Sequence, residues 1–85
     1  MDKVPPLSGK EICRILEKDG FLFVRQTGSH RIYQKTIDGE TITIPVPVHS
    51  NTSLKKGTLH AILKKARISR EKLTFLLTVL GGFLT

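Results

Sequence analysis

The 85-residue sequence has no tryptophan and a single cysteine, Cys13. One cysteine cannot form an internal disulfide, which excludes a small disulfide-stabilised scaffold and favours a reducing compartment. No apolar run approaches the roughly 20 residues that span a bilayer. Residues 1–6 also lack the apolar core of a signal peptide. We therefore expect a cytoplasmic protein without a membrane segment, folded as one domain over residues 1–85.

Motifs for metal, thiol or carboxylate chemistry are missing as well. The three histidines are His30, His49 and His60. Neither they nor Cys13 show the paired spacing of metal ligands, and the sequence has no GxSxG or phosphate-loop motif. Asp38 belongs to a turn signal and Glu11 to a helix cap, so no carboxylate pair is indicated. We expect neither a metal nor a cofactor, and we interpret Cys13 as a core residue.

Acidic residues are few relative to basic ones: 7 Asp and Glu against 14 Lys and Arg leave a net charge of +7. Most of this excess lies in one segment, residues 54–72, which contains seven basic residues and one acid. Such a concentration predicts a polyanionic partner, which could be nucleic acid, an anionic membrane surface or an acidic protein. A solvated lysine-rich helix without a partner is the alternative.

The predicted order of elements is α-β-β-β-α with an additional C-terminal helix, which is an α+β fold class. The strands are expected over residues 21–25, 30–35 and 40–44. Asp38-Gly39 predicts a hairpin between the second and third strands. Pro45 and Pro47 should end the third strand, because proline cannot donate to a sheet ladder.

Helix signals flank these strands. Ser8 and Glu11 form a capping box at the start of the first helix, and Gly20 follows its end. Apolar residues at helical spacing predict a second helix around residues 59–66, and Ser69 is a candidate cap for a third. The glycine pair Gly81-Gly82 should end that third helix.

Histidine chemistry on RNA requires few parts, because the ribose 2′-hydroxyl supplies the nucleophile. A histidine with an ordinary pKa of about 6.5 can transfer the protons, and lysines, arginines or backbone amides can stabilise the developing charge. His30 follows a Gly-Ser turn and opens a strand, which would hold its backbone firmly near one end of a sheet. It is our candidate general acid/base.

Five motifs in order resemble the HicA family of toxin–antitoxin mRNA interferases. They are LSGKE at 7–11, Gly20-Phe21, GSHRIY at 28–33, IPVPVH at 44–49 and LKKGTLHAILKKA at 54–66. The resemblance extends over residues 7–77, which is nearly the whole chain.

The resemblance implies a fold similar to double-stranded-RNA-binding domains, with helices on one face of a three-stranded antiparallel sheet. It also implies metal-independent cleavage of mRNA by the histidine of the Gly-Ser-His motif, here His30, and inhibition by a HicB-type antitoxin that covers the active site. Many members have a second histidine where this chain has Arg31. This difference leaves open which group protonates the leaving oxygen.

The candidate RNA-binding residues are Ser29, Arg31, Tyr33, Lys55, Lys56, Thr58 and Lys64. Lys55, Lys56 and Thr58 lie at the start of the second helix, where free N–H groups and the helix dipole attract phosphate. Tyr33 either stacks on a base or covers the sheet. Lys65 and Arg67 are secondary candidates on the same helix.

Two other interpretations are consistent with the sequence. The chain could be a non-catalytic RNA-binding module of the double-stranded-RNA type, in which case replacing His30 would change no phenotype. It could also be a basic accessory protein that docks an acidic partner and shows no salt-sensitive binding to RNA.

Overall fold

The computed structural model describes residues 4–49 and 51–81. The elements are α1 (Gly9–Lys18), β1 (Leu22–Thr27), β2 (His30–Ile37), β3 (Glu40–Pro47), α2 (Lys56–Lys65) and α3 (Arg70–Leu80). The strands form one antiparallel sheet in the order β1-β2-β3. The predicted α+β order with an additional C-terminal helix is confirmed. Gly82, part of the glycine pair expected to end the last helix, lies outside the described residues.

The helices cover one face of the sheet: α1 and α2 contact β3, and α3 packs against α1. Tyr33 of β2 and Ile44 and Val46 of β3 are buried in one cluster with the apolar residues of the helices. Side chains alternate between the two faces of a strand, so His30 and Ile32 lie on the opposite, helix-free face. The sheet therefore has one covered face and one open face.

The cap of α1 forms as the sequence predicts. The Ser8 hydroxyl accepts a hydrogen bond from the Glu11 backbone N–H at 3.1 Å, and the Glu11 carboxylate accepts one from the Ser8 N–H at 2.9 Å. These two bonds satisfy N–H groups that have no partner within the helix. After the helix, Gly20 adopts a φ of +105°, which a side chain would disfavour.

The third strand is longer than expected, and the prediction that Pro45 ends it is wrong. Pro45 lies inside β3 opposite Ile32, and the strand continues to Pro47 opposite His30. β3 pairs only with β2 and is therefore an edge strand. Its outer N–H groups need no ladder partner, so proline is tolerated at alternate positions.

Two-residue loops join the strands. Asp38 and Gly39 have φ values of +52° and +80°, the pair of positive angles required by the hairpin turn that this dipeptide predicts. Gly28 and Ser29 connect β1 to β2, with Gly28 at a φ of +59°.

The C-terminal helix packs against α1 through its buried leucines, and one buried carboxylate adds an ion pair to this packing. The Asp19 side chain is only 3% exposed and lies 2.7 Å from Lys72 Nζ and 3.2 Å from Lys35 Nζ. Lys72, one of the basic residues of the 54–72 segment, is therefore used within the fold. Among the described residues, no helix is both long and apolar enough to cross a membrane.

Candidate functional site

His30 lies exposed at the first position of β2. Its neighbours in the sheet are Thr27 of β1 and Pro47 of β3. Just before it, the Ser29 carbonyl accepts a hydrogen bond of 2.8 Å from the Val48 N–H. The backbone of His30 is thus fixed on both sides, as the sequence predicts, and its side chain lies on the open face.

Several chain segments meet at this end of the sheet. Gly9 lies so close to β3 that a Cβ there would be 1.7 Å from the Pro47 carbonyl oxygen. The Leu54 N–H donates to the Leu7 carbonyl at 2.8 Å, which joins the approaches to α1 and α2. We call this region, residues 27–31 and 47–49 with the first turns of α1 and α2, the hairpin end.

One cavity at the hairpin end, here called the α2 cavity, has a volume of 260 Å³. It is lined by Pro47, His49, Thr52, Ser53, Leu54, Lys55 and Thr58. Two of the predicted RNA-binding residues, Lys55 and Thr58, therefore share a cavity with the strand partner of His30. His49, which is not among the predicted site residues, also lines it.

The first turn of α2 carries positive potential into this cavity. Lys55 occupies the cap position without a side-chain hydrogen bond to the helix, and the first turn contains no acidic residue. Lysine at a helix N-terminus is unfavourable by itself, because the helix dipole already makes that end positive. The arrangement is suited to an anion such as phosphate.

Tyr33 covers the sheet and does not present its ring to solvent. The side chain is fully buried, at 0% exposure. Its hydroxyl accepts hydrogen bonds from Arg31 Nε at 3.2 Å and Nη2 at 3.1 Å, and donates one to the Glu17 carboxylate. The Arg31 guanidinium also lies 4.3 Å from the centre of the Phe23 ring. Of the two interpretations of Tyr33, the structure shows the one in which its ring covers the sheet. No face of the ring is open for stacking on a base.

Burial, followed by the hydrogen bond to Glu17, raises the pKa of Tyr33 above its ordinary value of 10.0. A raised pKa in the folded state stabilises the fold below pH 10, and this contribution is lost as the pH rises further. Tyr33 is the only tyrosine, so phenolate absorbance reports on it alone. At pH 10 we expect no phenolate in the folded chain and about half ionisation in the urea-unfolded chain. Half ionisation in the folded chain would exclude the buried network.

A second cavity, here called the α1 cavity, lies between α1 and the β1–β2 hairpin and has a volume of 360 Å³. Its lining comprises Lys10, Cys13, Arg14, Glu17, Gln26, Arg31, Tyr33 and Val48. Cys13 is buried, which raises the pKa of its thiol and agrees with its interpretation as a core residue. Lys10 is not among the residues predicted to bind RNA. A lysine in the first turn of a helix is nevertheless the same signal that indicated Lys55.

The remaining basic candidates lie elsewhere. Lys64 is eight residues beyond Lys56, about 12 Å along α2, beside His60 and in neither cavity. Lys65 is exposed at the end of the same helix.

Arg67 lies at the other end of the sheet. Its guanidinium is 2.8 Å from Glu40 and 3.8 Å from Asp38. Those acids flank the β2–β3 turn, about 23 Å from His30 along β2. Arg67 therefore contributes to the fold and not to the hairpin end.

In the described ranges, no three His, Cys, Asp or Glu side chains are grouped as a metal site would require. The fold and the hairpin end define a small basic α+β domain with an exposed histidine at one end of its sheet, where two cavities contain cationic side chains. Residues 9–68 match the family described as the HicA toxin of bacterial toxin–antitoxin systems, and the chain belongs to this family. No curated protein matches the chain. Membership of a toxin–antitoxin family implies an antitoxin partner.

Proposed function

We propose that this HicA-family toxin is a metal-independent endoribonuclease, an mRNA interferase, with His30 as its general acid/base. The observation that carries the proposal is the position of His30. It is exposed, its backbone is fixed by two strands, and its partner Pro47 lines the cavity that contains Lys55 and Thr58. This juxtaposition supports the proposal, because RNA cleavage through the 2′-hydroxyl needs a proton-transfer group near a surface that can bind an anion.

The proposed reaction divides the work between substrate and protein. His30 takes the proton of the ribose 2′-hydroxyl as that oxygen attacks the adjacent phosphorus. The bond from phosphorus to the 5′-oxygen then breaks, that oxygen takes a proton from solvent, and His30 returns its own proton to solvent. Lys55 and the N–H groups of the first turn of α2 stabilise the negative charge that builds up on the phosphate oxygens. Lys56 adds positive charge beside them.

The proposed partners follow from the charge. mRNA is the substrate, and the antitoxin is of the HicB type, covering the hairpin end and so blocking His30. A chain with a net charge of +7 attracts either polyanion over long range, so RNA and an acidic antitoxin would compete for the same surface. The proposed compartment is the cytoplasm, where mRNA and antitoxin are both present.

The proposed nucleophile is the ribose 2′-hydroxyl, and removing it from the substrate tests this part of the proposal directly. Cleavage of an RNA oligonucleotide should persist in excess EDTA, and it should stop when the 2′-hydroxyl at the scissile position is replaced by hydrogen. The matched control is the same replacement at a distant nucleotide, which should leave cleavage unchanged. Loss of cleavage in EDTA that added divalent ions restore would refute the metal-independent mechanism.

A further inference from the structure

The two cavities of the hairpin end lie on either side of one short segment, Pro47–Val48. Pro47 lines the α2 cavity and Val48 lines the α1 cavity. Pro47 is also the strand partner of His30. The residue proposed to perform the chemistry is therefore paired with the segment that separates the two cavities.

The α1 cavity has the charge of an anion site. It contains the side chains of three cations, Lys10, Arg14 and Arg31, and of one acid, Glu17. That acid is already engaged, because it accepts a hydrogen bond from the Tyr33 hydroxyl and lies 3.8 Å from Arg31 Nη2. The lining therefore keeps a net positive charge, although the Glu17 side chain itself is 48% exposed.

Arg31 is fixed in place before any ligand arrives. Its guanidinium is held by two hydrogen bonds to Tyr33 and by the ring of Phe23. A cation that is already ordered loses little conformational freedom when it binds an anion. At 360 Å³ the cavity is in the size range of small-molecule sites, and a ribose with its phosphate is small enough to enter it.

The cavity lies one residue pair from the proposed catalytic position. Gln26 and Arg31, which both line it, are the pair next to Thr27 and His30 in the β1–β2 ladder. Consecutive Cα atoms are about 3.8 Å apart. Because neighbouring side chains of a strand point to opposite faces, Gln26 and Arg31 lie on the helix-covered face and His30 on the open one, so RNA bound in the α1 cavity would pass around the end of the sheet to reach His30.

We propose that the α1 cavity is a second phosphate-binding subsite, so that single-stranded RNA runs across the hairpin end with one phosphate in each cavity. This inference rests on the proposed function and extends it. A nucleic-acid strand carries one charge per nucleotide, which matches two neighbouring cationic cavities separated by the partner of His30. Lys10, at the second position of α1, supplies the mobile contact, and Arg31 supplies the fixed one.

The test compares two exposed lysines of the same helix, Lys10 and Lys18, of which only Lys10 lines the α1 cavity. Binding of a single-stranded RNA oligonucleotide is measured in the His30→Ala chain, which should not cut it, with Lys10→Ala or Lys18→Ala added. Losing one phosphate contact lowers the salt slope by about 0.7. Lys10→Ala should then weaken RNA binding, relative to the parent chain, by a factor that is about 2.6-fold larger at 50 mM than at 200 mM salt. Lys18→Ala should keep the parent slope.

A charge reversal separates binding from folding. Lys10→Glu places an acid in the first turn of α1, which the helix dipole favours, so the chain should stay folded. It should nevertheless bind RNA more weakly than Lys10→Ala. Equal affinity and slope in the Lys10 and Lys18 variants would overturn the subsite, as would a Lys10 effect confined to binding of the antitoxin. A wild-type chain that binds RNA with this Lys10 dependence but does not cleave it would instead refute the proposed function and leave the subsite standing.

Discussion

Inducing the wild-type chain should arrest growth, whereas the His30→Ala chain should be tolerated at equal expression. Removing a general acid/base typically lowers the rate by ~10²–10⁴-fold, which is enough to turn a toxic ribonuclease into a harmless RNA-binding protein. His30 is exposed, so its loss should leave the fold intact. Growth curves with expression checked by immunoblot measure the difference.

His60→Ala provides the matched control for this experiment. His60 is also exposed, but it lies on α2 beside Lys64 and lines neither cavity of the hairpin end. The His60→Ala chain should arrest growth like the wild type. Equal toxicity of the His30→Ala chain would mean that the toxin acts without this histidine, for instance by binding alone.

Gly9→Ala should have the largest effect on stability. The new Cβ would lie 1.7 Å from the Pro47 carbonyl oxygen and 2.9 Å from its carbon, and these are backbone atoms that cannot turn aside. Overpacking of this kind costs about 3 kcal/mol, a large part of the ~5–15 kcal/mol by which domains are stable. Because Pro47 pairs with His30, any accommodation would also displace the proposed site.

Urea denaturation measures this loss, and Gly57→Ala serves as its control. Gly57 is the second residue of α2, and a Cβ there would meet no atom within 4 Å. Alanine is about 0.5–1 kcal/mol better than glycine within a helix, so Gly57→Ala should raise the free energy of unfolding. If Gly9→Ala were as stable as Gly57→Ala, the contact between α1 and β3 would be wrong.

Local signals in the sequence were enough to predict the order of helices and strands. The Ser8–Glu11 cap and the Asp38-Gly39 turn depend on residues three or fewer positions apart, so their chemistry is visible in a short window. The position of His30 at a strand start was predictable for the same reason. The position of Pro45 inside a strand was not predictable, because proline is tolerated in an edge strand and not in a central one. Which strand lies at the edge is decided by the pairing of all three strands.

The surroundings of the site depend on contacts between residues that are far apart in the sequence. Tyr33 and Glu17 are sixteen residues apart, and their hydrogen bond decides that the tyrosine is enclosed instead of open to a base. Strand alternation placed Tyr33 and Arg31 on one face but could not tell which face the helices cover. Likewise, Arg67 finds its partner Glu40 across twenty-seven positions, which removes it from the RNA-binding surface that its place in the basic segment suggested.

In the proposed mechanism His30 transfers the proton, while the basic surface holds the RNA and stabilises the charge on its phosphate. Single-turnover cleavage of an RNA oligonucleotide, at protein concentrations that saturate binding, tests this mechanism most directly. With purified wild-type, His30→Ala and His60→Ala chains, the His30→Ala rate should fall by ~10²–10⁴-fold with unchanged affinity, and the His60→Ala rate should match the wild type. A His30→Ala chain that cleaves saturating RNA at the wild-type rate would contradict the account.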